Sequence, residues 1–138
     1  MSMDRLFSVF RISGSGLAAQ RKLIEVTASN IANVETTKTE EGGPYIPKRL
    51  RFEEKGLRNV FGRMVELEMN RQNIPADIEG LVDVAEVNQE ETPVKQVYDP
   101  ENPDADENGF VHKPNINLIK EMSNMMLASR SYEANVTV

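Results

Sequence analysis

The residues best placed to do chemistry are the acids and amides of D-A-D-E-N-G, Asp104 to Gly109. Their order, D-x-[DN]-x-[DN]-G, is the opening half of a calcium loop, in which alternate oxygen side chains turn in around the ion. The second half does not follow. With Asp104 as the first position the twelfth is Asn115, where calcium needs a bidentate Glu. The preceding YDPENP holds two prolines and cannot supply an entering helix. Asp, Asn, Pro and Gly at this density build tight turns instead, so no metal ligands are expected.

A second pattern lies near the start. Gly14, Gly16 and Ala19 follow FSVFRIS in the G-x-G-x-x-A order of a dinucleotide-binding loop, and Glu35 stands where a ribose-binding acid would. Against it, an apolar stripe runs through the supposed loop at Leu17, and NIAN is a poor second strand. The remaining chain has too little strand and helix alternation for a doubly wound sheet. Small residues there let another helix approach closely, and no cofactor is expected. Catalytic groups are also scarce. His112 is the only histidine, reads as an exposed loop residue beside Pro114, and there is no cysteine to act as nucleophile, disulfide or thiolate ligand. Nothing in the sequence is an enzyme signature, and no catalytic residue is expected.

Composition points to a molecule without a large core. Apolar residues make up 39% of the 138, with aromatics at 6% and no Trp, against roughly 45–50% apolar in ordinary globular domains. The net charge of −6 disfavours broad attraction to nucleic acid or anionic membrane. That charge is unevenly spread: Lys48 to Arg71 holds seven bases, whereas Ala76 to Asn108 holds eleven acids and only Lys95 as a base. No apolar run reaches the roughly 20 residues of a membrane helix, so no membrane insertion is expected. The N-terminal MSMDRLFSVFRISGSG is broken by charge and does not read as a cleaved signal.

The elements follow from periodicity. Met3, Phe10, Leu17, Ile24 and Ile31 recur every seven residues, the pattern of a long helix with a seam for another helix. TTKTEEGGPYIP then ends the helix. Short alternations in the middle, at Val65, Leu67 and Met69, at Val82 and Val84, and in PVKQVY, predict strands. After Pro114 the helical rhythm returns through Leu118, Met122, Met125, Ser129, Tyr132 and Val136, with Asn115 or Asn117 as cap and Glu121 where the helix dipole favours an acid. The expected fold is α+β: a helix over 1–35, a β-rich module over 36–113 and a helix over 114–138, the two helices pairing as in a coiled coil. The assembly seam is expected to comprise Met3, Phe10, Leu17, Ile24 and Ile31 with Leu118, Met122, Met125 and Tyr132, met within or between subunits.

Three stretches resemble a known family. SGLAAQRKLIEVTASNIANVETT, residues 15–37, is similar to the N-terminal signature of the bacterial flagellar axial proteins of rod and hook, with Gly16, Leu17, Ala19, Gln20, Asn30, Ile31, Ala32 and Asn33 on its pattern. ASRSYEANV, residues 128–136, resembles the C-terminal signature at Arg130, Tyr132, Glu133 and Asn135. VYDPENPDADENGFVHKPNINLIKEM, residues 97–122, resembles the loop and helix entry of proximal-rod members, which accounts for the turn-rich acids. The resemblance implies a structural subunit of the proximal rod, a torque-transmitting shaft in the periplasmic part of the flagellar basal body. It also implies partners among other rod subunits and copies of itself, and passage through the flagellar type III export apparatus. In that family the last helix runs several turns past the Tyr-Glu-x-Asn motif, so the helix ending here at Val138 reads as shortened. Two other roles fit the same residues: a distal-rod or hook-type component, and a module that recruits a partner through the β segment.

Overall fold

The computed structural model describes residues 3–55, 81–87 and 91–137. The chain is α+β. Helix α1 runs from Met3 to Ala32 and strands β1, β2, β3 and β4 span Arg49–Lys55, Leu81–Val87, Val94–Tyr98 and Phe110–Pro114. Helix α2 spans Leu118–Val136. β1 pairs antiparallel with β2, Arg49 opposite Val87 and Lys55 opposite Leu81. A second antiparallel pair joins β3 to β4, Val94 opposite Pro114 and Tyr98 opposite Phe110. The helices pack on each other, and the β1–β2 pair lies against α1.

Thirty residues make α1 about 45 Å long at 1.5 Å per residue. Gly14 and Gly16 sit inside it, each at a cost of about 1 kcal/mol relative to Ala, and no strand precedes them among the described residues. The first strand found, RLRFEEK, alternates Leu50 and Phe52 with charged residues. A stretch noted in the sequence for its charge is thus a strand, although its charges outweigh its two apolar side chains. The predicted strands at 82–84 and in PVKQVY are present as β2 and β3, while the one at Val65 to Met69 lies outside the described residues. His112 is exposed as expected, but on β4 rather than in a loop, with its Nε2 3.0 Å from Gln96 Nε2 across the strand pair.

The turn between β3 and β4 consumes the acids of the abandoned calcium motif. Asp106 Oδ1 accepts the N–H groups of Asn108 and Phe110, both at 2.9 Å. Asp104 accepts the Thr37 hydroxyl at 2.6 Å, which ties this turn to the segment after α1. Among the described residues no group of three or more His, Asp or Glu side chains is arranged to hold a metal. Gly109 has φ +81°, and a Cβ there would lie 3.0 Å from a Tyr98 ring carbon and 3.1 Å from Pro100 Cβ. Gly109→Ala is therefore expected to lower stability by about 1–3 kcal/mol through left-handed strain and crowding. A shift in the denaturation midpoint reads this directly, and an unchanged midpoint would show that the turn relaxes freely.

Lys113 of β4 reaches back to Glu35 at 2.8 Å. The hydrogen bond that Lys113 donates to Glu35 chiefly raises the lysine pKa above its ordinary 10.5, with the charges of Glu35 and Asp99 adding and burial opposing. A raised lysine pKa contributes stability below pH 10.5 that is lost as pH climbs through the folded value. Glu35→Gln should remove that alkaline loss from denaturation curves taken on either side of pH 10.5, and an unaltered pH slope would count against the pair.

Few apolar side chains are buried. Among the described residues the buried hydrophobics are Ala19, Val26, Val111, Ile116 and Ala128, and the polar Thr27, Asn30 and Glu121 are buried beside them. Large apolar residues lie outside: Met3, Phe7 and Phe10 on α1 and Ile119, Met122, Met126 and Leu127 on α2 are all more than half exposed. A helix pair so dressed has more apolar surface than its own fold can cover.

Candidate assembly site: the helix pair and its polar clasp

Two contacts fix how the helices meet. At one end, a Cβ on Gly16 would stand 3.5 Å from Asn135 Nδ2, so the glycine lets α2 pass close by. At the other, Asn30 Nδ2 donates to Glu121 Oε2 at 3.3 Å. Early α1 meets late α2 and late α1 meets early α2, so the helices are antiparallel. The two anchors lie two heptads apart on both helices. The internal seam therefore steps by threes and fours through Gly16, Ala19, Leu23, Val26 and Asn30, with Glu121, Ala128 and Asn135 facing it. Ala19, Val26 and Ala128 are at most 5% exposed, as this placement requires.

Asn30 is the node of a clasp. Its Nδ2 also donates to Lys48 O at 2.9 Å, and its Oδ1 accepts Lys48 N–H at 2.9 Å and the Tyr45 hydroxyl at 3.0 Å. An amide has two donors and two acceptor lone pairs, and all four are used here. The Tyr45 proton is committed to Asn30, so the Ser29 hydroxyl, 3.1 Å away, donates to Tyr45. Glu121, whose side chain is 3% exposed, takes Arg49 of β1 on its Oε1 at 2.5 Å. One buried amide and one buried carboxylate thus tie α1, the 45–49 segment and α2 together. Among the described residues no buried side-chain polar atom lacks a hydrogen-bond partner.

Both helix ends are closed locally. Asn33 Nδ2 donates to Ser29 O at 2.8 Å and Asn33 Oδ1 accepts the Thr36 hydroxyl at 3.1 Å, at the end of α1. Asn117 caps α2, its side chain accepting Lys120 N–H at 3.1 Å. Of the two candidate caps Asn117 is the one used, while Asn115 turns to Thr92 O.

The residues of the expected assembly seam fall elsewhere. At about 100° per residue, Leu17, Ile24 and Ile31 project more than a quarter turn around α1 from Ala19, Val26 and Asn30. They are half-buried, and Met3 and Phe10 are 70% and 64% exposed. On α2, Met125 is half-buried, whereas Leu118, Met122 and Tyr132 are 41%, 52% and 37% exposed. Leu17 and Tyr132 do come together, with Ala18, Arg21, Lys22 and Glu25, around a shallow cleft of about 340 Å³ at the helix junction. Of the motif residues, Ala19 and Asn30 are buried, Gly16, Gln20, Asn33 and Asn135 are half-buried, and Arg130 and Glu133 are exposed. Sequence reasoning missed Glu121 and Arg49 as structural partners: a first-turn acid and a strand arginine 72 positions apart carry no local signal.

Antiparallel terminal helices bearing these motifs, with a small β insert between them, are the arrangement expected of a flagellar axial protein. The family of flagella basal body rod proteins matches residues 10–38, and that of the flagellar basal body rod FlgEFG protein C-terminal region matches 107–138. Across nearly the whole chain the likeness is closer still. The flagellar basal-body rod protein FlgC of Borreliella burgdorferi is 40% identical over 137 residues, 96% of this chain and 88% of that one. FlgC of Salmonella typhimurium is 40% identical over 96% and 87% of the two chains, and FlgC of Bacillus subtilis 35% identical over 95% and 87%. The chain belongs to the FlgC family of flagellar basal-body rod proteins. No helix among its described residues is long and apolar enough to cross a membrane.

Proposed function

We propose that this structural rod protein builds the proximal rod by pairing its outward helix faces with other rod subunits and with copies of itself. One observation carries the reading. The internal seam is closed by Ala19, Val26, Asn30, Glu121 and Ala128, yet a second apolar stripe remains on α1 and exposed apolar residues remain on α2. Each side chain of that kind contributes roughly 1.5–3 kcal/mol when a neighbour covers it. Met3, Phe10, Leu17, Ile24 and Ile31, with Leu118, Met122, Met125 and Tyr132, form the interface in this account. Gly16, Asn30 and Asn135 set how the helices meet so that it is presented, and Asn33 closes the end of α1.

The chain acts in the basal body as a passive element of the shaft: it transmits torque through packed helices, takes no cofactor and catalyses nothing. It reaches the periplasmic rod through the flagellar export apparatus. Mass spectrometry of hook–basal bodies stripped of rings and filament tests the assignment. The chain should remain with the rod, and its absence from intact basal bodies would refute the role.

A further inference from the structure

Asn108 and Gly109 form the only Asn-Gly dipeptide in the chain. In a free chain the backbone nitrogen after an asparagine can attack the side-chain amide, and a glycine there offers no side chain to block the approach. The fold requires that glycine, because φ is +81° and a Cβ would meet Tyr98 and Pro100. It also restrains the reaction the glycine invites. Gly109 N–H, the nucleophile, donates to Asp106 O at 3.0 Å, and Gly109 O accepts Asp99 N–H at 2.9 Å. Asp106 Oδ1 holds the N–H groups on either side, those of Asn108 and Phe110. Gly109 is buried while Asn108 is exposed, so the leaving group faces water and the attacking nitrogen is locked.

We propose that Asn108 is a conformationally guarded deamidation site and that Asp106 is the positioning residue that guards it. When the turn opens, Gly109 N loses its proton and bonds to Asn108 Cγ. The Cγ–Nδ2 bond breaks, ammonia leaves with that proton, and a five-membered succinimide remains. Water then opens either of its carbonyls, giving Asp or isoaspartate, with no change of oxidation state. Either product adds a negative charge to a chain already at −6. The iso form also inserts a backbone methylene just before Gly109, one residue ahead of Phe110, where β4 pairs with Tyr98. This inference rests on the turn alone and is independent of the assembly role.

The test follows the tryptic peptide spanning 96–120, since the Lys113–Pro114 bond resists trypsin, from the full-length chain, incubated at one mildly alkaline pH either folded or in guanidinium. Chromatography and mass spectrometry separate the Asn, Asp and isoaspartate forms. The folded chain should convert about tenfold or more slowly than the denatured one, because reaction waits on local opening. Asp106→Ala should raise the folded rate toward the denatured one, and Asp106→Asn, which keeps a side-chain oxygen acceptor, should stay near the parent. Equal rates in the folded and denatured parent would overturn the proposal, whatever the variants do. So would an Asp106→Ala chain with native circular dichroism that converts at the parent rate.

Discussion

Leu17→Asp and Ile24→Asp are expected to abolish flagella while leaving folded, soluble protein in the cell. Both residues lie on the outer stripe of α1 and are only half-buried in the single chain. The internal seam, through Ala19, Val26 and Asn30, is not touched. In the assembly each substitution forfeits roughly 1.5–3 kcal/mol of apolar burial. It also puts an unpaired carboxylate into the contact, and a buried unpaired charge costs several kcal/mol more. The penalty recurs at every copy, so rods should fail to form rather than form weakly. Ile24→Asp is the cleaner variant, because Leu17 also shares the cleft with Tyr132. Swarming on soft agar, electron microscopy of cells and an immunoblot of the soluble fraction together decide it. Normal motility would remove the outer stripe from the account.

Asn30→Ala should damage the chain itself. The variant strips four hydrogen bonds, those Asn30 makes with Lys48 N–H, Lys48 C=O, the Tyr45 hydroxyl and Glu121. At about 0.5–1.5 kcal/mol net for each of the four bonds, about 2–4 kcal/mol of stability should go. Asn30→Asp should be at least as harmful, since it replaces donors aimed at Lys48 O and Glu121 with another carboxylate oxygen. Denaturant titration measures both, and a parental midpoint for Asn30→Ala would show that water replaces the clasp without cost. A destabilised chain would also present α2 poorly, so loss of motility here, unlike in Ile24→Asp, should come with less soluble protein.

These two variants separate what was legible in the sequence from what was not. The long N-terminal helix was legible because Leu17, Ile24 and Ile31 repeat every seven residues with large apolar side chains. The seam that closes within the chain was not, because it runs one residue earlier and is written in Gly16, Leu23 and Asn30. Its small residues act by letting the backbones approach, as Gly16 does at Asn135, and a hydrophobic pattern does not register that. Glu121 was noticed as a first-turn acid suited to the helix dipole. Its larger role as a buried acceptor for Arg49 and Asn30 depends on contacts across 72 and 91 positions, which only the folded chain brings together. The 97–122 stretch was recognisable as turns because Asp, Asn, Pro and Gly bond to their own backbone, and Asp106 does so twice.

The central claim is that α1 has two working faces, one closed inside the chain and one closed only by neighbours. The chain contains no cysteine of its own, so single Phe10→Cys and Val26→Cys variants, each first shown to swim, can be probed with a maleimide against no background. Phe10 is 64% exposed and Val26 5%. In the isolated chain Phe10→Cys should label readily and Val26→Cys slowly. In purified basal bodies Phe10→Cys should become protected to the level of Val26→Cys. Equal labelling of Phe10→Cys in the isolated chain and in the assembled rod would contradict the account, because the stripe would then face solvent in the rod.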